Sequence, residues 1–157
     1  MIAKFLAERL KVSTLSFESS ASEFLQQLQL FADLSSYRDA LLVHIDEKLT
    51  EIAAKDPTGK LVLVAHSLGT VVTFIALLRA QARSDPPTWL GQVERFVTFG
   101  SPLDLVLVLF PEYFPPLPGP CARGIAWTNY TLWNDPIATD LRITSERFLP
   151  ARAPGLF

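Results

Sequence analysis

The residues best placed to do chemistry lie in the run Leu61-Val62-Leu63-Val64-Ala65-His66-Ser67-Leu68-Gly69-Thr70. A short apolar stretch there runs straight into a helix-forming one, with Ser67 at the join. A serine at a tight strand-to-helix turn presents its hydroxyl beyond the edge of a sheet, where it can attack a carbonyl carbon. Such a turn calls for small residues two before and two after the serine, because larger ones would collide as strand and helix approach. Ala65 and Gly69 hold those places, giving A-H-S-L-G where the general pattern is G-x-S-x-G. The N–H of Leu68, at the start of the helix, is then aimed at the oxygen of an incoming carbonyl.

The elements that must position this serine are legible on either side of it. Leu61-Val62-Leu63-Val64-Ala65 is apolar on both faces and β-rich, which predicts a buried strand of a parallel sheet. Helical residues follow from Leu68 to about Ala82, and Pro86-Pro87 breaks the chain. Arg95-Phe96-Val97-Thr98-Phe99 predicts a second buried strand. Gly100-Ser101-Pro102 ends it, with Ser101 placed to cap a helix and Pro102 at that helix's first position. Phe110 to Pro120 is too proline-rich for regular structure and reads as a surface loop. Ile125 to Trp133 predicts a third strand, closed by Asn134-Asp135-Pro136, and the tail after Phe148 shows no clear element.

Upstream, Ser20-Ala21-Ser22-Glu23 has capping-box spacing and predicts a helix from about Ala21 to Ala32. Ser36 and Asp39 repeat the signal. Leu41, Ile45, Leu49 and Ile52 then form one face of a long helix, which Asp56-Pro57-Thr58-Gly59 stops. Strand, helix, strand, loop, strand in this order indicates an α/β fold with a parallel sheet.

A chain of 157 residues is of single-domain size, and 49% apolar with 19% charged residues is a globular composition. The net charge is -2 and the basic residues are scattered, so nucleic acid is not an expected partner. The lone Cys121 excludes an internal disulfide framework and fits a reducing compartment. Lys4, Glu8, Arg9 and Lys11 interrupt the apolar residues of the N-terminus, so no secretory signal is read there. The most apolar run, Leu103 to Phe110, is far shorter than the roughly 20 residues of a membrane span. A soluble, cytoplasmic protein without a transmembrane segment is expected.

Three stretches together resemble the α/β-hydrolase superfamily, in its lipase- and esterase-like branches. Ala65-His66-Ser67-Leu68-Gly69 resembles the family's nucleophile elbow, with alanine in place of the first glycine. Val97 to Asp104, VTFGSPLD, is similar to the next core strand and its loop. Trp127 to Ala138, WTNYTLWNDPIA, is similar to the strand and loop that bear the acid of the catalytic triad. The resemblance covers about Ala40 to Leu141. It implies a parallel sheet with flanking helices, Ser67 as nucleophile and Asp135 as acid, with Asp104 and Asp140 as fallback acids. Asn-Asp-Pro is also good turn chemistry, and Asp104 also suits the first turn of a helix, where the dipole favours it.

The superfamily orders its triad as serine, acid, histidine. The chain has 2 histidines, His44 and His66, and neither follows Asp135. His66 lies inside the elbow, where the backbone is expected to point it away from the serine hydroxyl, as a packing or polar-contact residue. His44 reads as a partly exposed residue of the long helix. The family's second oxyanion donor comes from a loop after an early strand, and nothing before Ala40 resembles it; the first glycine is Gly59. Residues 1–157 are therefore expected to form a single partial domain, incomplete at both ends, with unpaired strand edges that favour association.

The implied activity is hydrolysis of a small-molecule carboxylic ester with an apolar acyl chain through an acyl-enzyme on Ser67, with poor turnover by this chain alone. The apolar segment from Leu105 to Phe114 either lines the site or belongs to the core. A thioesterase or acyltransferase would use the same residues. The alternative is a degenerate hydrolase serving as an interaction module. No His/Cys/Asp cluster has ligand spacing, so no metal or organic cofactor is implied.

Overall fold

The computed structural model describes residues 35–115, 125–131, 135 and 137–148, together with 22, 24, 26, 28, 29 and 31. These last six are helical, with Phe24, Leu28 and Phe31 buried. They fall inside the expected first helix; Ser20, Ala21 and Glu23 of its capping box lie outside the described residues, as do Cys121 and the N-terminal residues 1–21.

Helix α1 spans Ser35–Lys55. It buries Leu42 and Ala53, with Leu41, Ile45 and Leu49 packed against the core. Ile52, expected on that face, is 47% exposed. At 3.6 residues per turn the buried stripe runs 42, 45, 49, 53, so Ala53 takes the place.

Strand β1 (Leu61–His66) leads into α2 (Leu68–Ala82) through the single residue Ser67. After a short α3 (Thr88–Gln92) come β2 (Val93–Phe99) and α4 (Leu103–Leu109). A 3-10 turn at Pro111–Tyr113, β3 (Ala126–Tyr130) and α5 (Arg142–Phe148) complete the described elements. The proline-rich stretch is thus partly regular, and its Phe114 is buried rather than on the surface. The third strand is shorter than the expected Ile125 to Trp133; Leu132, Trp133 and Asn134 lie outside the described residues. Helices α3 and α5 have no counterpart in the sequence reading. No helix among the described residues is long and apolar enough to cross a membrane.

The three strands form one parallel sheet in the order β1-β2-β3. The architecture is α/β, as the element order indicates. Leu63, Phe96 and Trp127 share one register row, on the face that packs inward. Helix α2 is buried nearly all round, from Thr70 to Ala80, and brings Phe74 against the Trp127 ring at 5.0 Å. Phe148 of α5 meets Phe74 edge-on at 5.4 Å, and Phe96 lies 5.1 Å from Trp127. Asp46 of α1 accepts from Arg83 and from Trp89 Nε1, both at 2.9 Å, which ties α1 to the chain after α2.

The opposite face of the sheet departs from expectation. Val62 and Val64, in a strand read as buried on both faces, are 56% and 65% exposed. Arg95 and Phe99 of the second strand, and Tyr130 of the third, are exposed as well. The described helices pack on the inner face alone, so apolar character on both faces of β1 did not translate into burial on both. Strand β1 is also an edge of the described sheet.

Candidate active site

In a parallel sheet all strands end on the same rim, and His66, Phe99 and Tyr130 form the last register row. Ser67 follows directly. Its backbone stands at φ 50, ψ -131, a region costly for any residue with a Cβ. Among the described non-glycine residues only Ser67 and Leu141 have positive φ.

The turn is held by main-chain and buried hydroxyl contacts. Ser67 N–H donates to the Phe99 carbonyl at 3.0 Å. The Ser67 carbonyl accepts from Thr70 N–H at 3.0 Å and from the Thr70 hydroxyl at 2.7 Å. Thr70 Oγ1 in turn lies 2.8 Å from Ser101 Oγ, and both residues are fully buried. Ser101 therefore braces the elbow and caps nothing; α4 begins with the Pro102 carbonyl accepting from Val106 N–H at 2.9 Å. Ser67 stands at the N-cap of α2 yet makes no side-chain capping bond, and its Oγ is without a partner among the described residues. The N–H groups of Leu68 and Gly69 likewise have no acceptor among the described residues.

Ala65 is half-buried beside the turn, but Gly69 is not needed for the reason the sequence suggested. A Cβ on Gly69 would meet nothing within 4 Å, because the residue faces open space on the first turn of α2. The glycine that sterics demand is Gly100. It has φ +55, and a Cβ there would stand 3.1 Å from Asp135 Oδ2, tighter than ordinary contact.

Asp135 sits on the same rim, in the loop after β3. Its Oδ1 accepts from the N–H groups of Ile137 at 3.0 Å and Ala138 at 3.1 Å, and Oδ2 has no partner among the described residues. The loop is pinned to the chain after β2: Thr139 donates its N–H (2.8 Å) and hydroxyl (3.1 Å) to the Ser101 carbonyl. Asn129 of β3 donates to the Thr139 carbonyl at 3.1 Å and accepts from the Thr98 hydroxyl at 2.7 Å. Turn chemistry therefore coexists in Asp135 with a carboxylate oxygen that has no partner among the described residues.

The fallback acids are engaged elsewhere. Asp104 is buried and accepts from Ile143 N–H at 3.1 Å and Thr144 N–H at 2.8 Å, so it caps α5, a different helix from its own. Asp140 is exposed and accepts from Arg142 N–H at 3.2 Å. His44 is exposed on α1. His66 is exposed too, so it packs in no core, and its ring lies beside Gly100, where a Cβ would be 3.6 Å from its Nε2. Of the segment from Leu105 to Phe114, Val106, Leu107 and Phe114 belong to the core, while Val108 and Leu109 are exposed.

Gly100, Thr70, Ser101 and Thr139 were not singled out for the site in sequence. A glycine closing a strand was the one available signal, for Gly100; the other three carry none. Comparison with protein-family models, with curated proteins and with solved structures finds no match.

Proposed function

We propose that the chain is a serine hydrolase of carboxylic esters that works through an acyl-enzyme on Ser67, within an α/β-hydrolase-like domain. One observation carries the reading: a serine held at φ 50, ψ -131 at the mouth of a parallel sheet, with its hydroxyl unpaired among the described residues. Such a backbone costs on the order of 1–3 kcal/mol, and a serine that capped its helix would account for itself structurally. Ser67 does not cap. What the strain secures is a hydroxyl and two neighbouring N–H groups that have no partner among the described residues.

The chemistry follows from that arrangement. Ser67 Oγ attacks the ester carbonyl, and the oxygen that gains charge meets the N–H of Leu68 at the start of α2. Collapse of the tetrahedral adduct releases the alcohol and leaves the acyl group on Ser67, which water then removes. Asp135, with one oxygen anchored and the other unpaired among the described residues, has the form of an acid that orients an imidazole. An ester with an apolar acyl chain is the proposed substrate class.

The test is covalent trapping. The full chain is incubated with a p-nitrophenyl phosphonate and weighed by mass spectrometry. One phosphonyl adduct, mapped to Ser67 and missing from Ser67→Ala, is expected. Labelling that is equal in the variant, or spread over other residues, would refute the assignment.

A degenerate hydrolase serving as an interaction module is the second reading. The exposed apolar face with Val62, Val64, Phe99 and Tyr130 favours it, since such patches mark binding surfaces. Absence of the adduct, together with concentration-dependent association, would decide for it.

A further inference from the structure

We propose that Ser101 is the positioning residue of this site: its hydroxyl sets the peptide that carries the Leu68 N–H, and its carbonyl sets the loop that carries Asp135. The inference rests on the reading of Ser67, Leu68 and Asp135 above and adds what holds the two halves together. Ser101 is fully buried, between Gly100 and Pro102 at the end of β2. The peptide just before it already bridges the three strand ends. Its Phe99 carbonyl accepts from Ser67 N–H, and its Gly100 N–H donates to the Tyr130 carbonyl, both at 3.0 Å.

The hydroxyl side of the bridge has a fixed direction. A threonine hydroxyl has one hydrogen to give. Thr70 gives it to the Ser67 carbonyl, which cannot donate, at 2.7 Å. In the 2.8 Å contact between Thr70 Oγ1 and Ser101 Oγ, Ser101 is therefore the donor. The order is Ser101 O–H to Thr70 O–H to the Ser67 carbonyl. That carbonyl and the Leu68 N–H belong to one planar peptide, so whatever holds the oxygen also aims the N–H. Thr70 N–H holds the same oxygen at 3.0 Å, and the two bonds together fix the plane.

The carbonyl side reaches the acid. The Ser101 carbonyl accepts from Thr139 N–H at 2.8 Å and from the Thr139 hydroxyl at 3.1 Å. Thr139 closes the turn in which Asp135 Oδ1 takes the N–H groups of Ile137 and Ala138. Asn129 holds the Thr139 carbonyl and is itself held by the Thr98 hydroxyl, which accepts from Trp127 Nε1 at 3.1 Å. Thr70, Thr98 and Ser101 are all fully buried, so water does not compete for these bonds. A displaced Ser101 therefore moves the oxyanion donor and the acid together.

The experiment has two arms on the full chain. The first follows p-nitrophenyl phosphonate labelling of Ser67 against reagent concentration, by mass spectrometry. The proteins are wild type, Ser101→Ala, Thr139→Val, Thr139→Ser and Asp46→Ala. The phosphoryl oxygen of the reagent takes the place of the developing oxyanion, so the limiting rate reads the Leu68 N–H. Ser101→Ala and Thr139→Val should lower that rate by about tenfold or more, since a misplacement of about 1 Å costs on the order of 10²-fold. The half-saturating concentration should not change. Thr139→Ser keeps the hydroxyl and should label as wild type does. Asp46→Ala breaks bonds to Arg83 and Trp89 away from the rim and should also keep the wild-type rate. The second arm follows backbone amides by NMR in 15N-labelled protein. Ser101→Ala and Thr139→Val should each shift amides on both sides, Leu68 at the elbow and Ile137 and Ala138 in the acid loop. Lower melting temperatures with unchanged limiting rates would show a structural role alone and overturn the proposal. Amide shifts confined to one side would overturn the bridge. A wild type that forms no Ser67 adduct would refute the reading of Ser67, and the amide arm would still judge the bridge. Should Ser101→Ala fail to fold, Thr139→Val with its Thr139→Ser rescue carries both arms.

Discussion

Glycine at position 67 should stabilise the chain, although it removes the hydroxyl on which the proposed chemistry depends. Ser67 holds φ 50, ψ -131, where a Cβ is in conflict with the backbone at a cost on the order of 1–3 kcal/mol. Glycine relieves that conflict. It also frees the unfolded chain, which offsets the gain by about 0.4–1 kcal/mol. The bonds that hold the turn, Ser67 N–H to Phe99 and Thr70 to the Ser67 carbonyl, are made by main-chain atoms of Ser67 and survive. The hydroxyl contributes no bond among the described residues, so its removal loses none of them. The net should be about 1 kcal/mol in favour of Ser67→Gly. With a urea slope of about 2 kcal/mol per molar, the midpoint should rise by about 0.5 M. Ser67→Ala keeps the Cβ and should stay within about 0.5 kcal/mol of wild type. Urea unfolding followed by far-ultraviolet circular dichroism reads all three proteins. A glycine variant no more stable than the alanine variant would show that the turn stores no strain, and the argument from Ser67's backbone would fall.

The other predictions concern the frame around the serine. Thr70→Val should cost about 1–3 kcal/mol, because the buried Ser101 hydroxyl loses its partner, and Thr70→Ser should recover most of it in thermal melts. Gly69→Ala should raise stability by about 0.5–1 kcal/mol in the same melts, since a methyl there meets open space and favours the helix. Asp104→Ala should cost about 1–2 kcal/mol and speed hydrogen exchange at the start of α5, while leaving phosphonate labelling of Ser67 unchanged. Val62→Lys with Val64→Lys should lower self-association in sedimentation velocity without loss of helical signal, because both side chains already face solvent.

Local chemistry is what the sequence by itself determined. The order of strands and helices, the break at Pro86-Pro87 and the one-residue turn at Ser67 follow from apolar period and from residues that cannot continue an element. The stop after the long helix at Asp56-Pro57 is of the same kind. These are effects between neighbours in the chain, and neighbours are what a sequence shows. Burial is different, because it depends on what lies opposite. Val62 and Val64 have the composition of core residues, and only the placement of all described helices on the other face leaves them exposed. The two glycines make the same point: Gly69 matched a motif but faces open space, whereas Gly100 must lack a Cβ because Asp135, thirty-five residues later, comes to 3.1 Å of where it would be. Asp104 reads as an aspartate of its own helix and in fact caps another, through main-chain donors that no local pattern could pair with it. The bridge that Ser101 makes between the elbow and the loop of Asp135 is of this second kind. Parallel pairing puts the ends of β1, β2 and β3 on one rim, and residues far apart in sequence become neighbours only there.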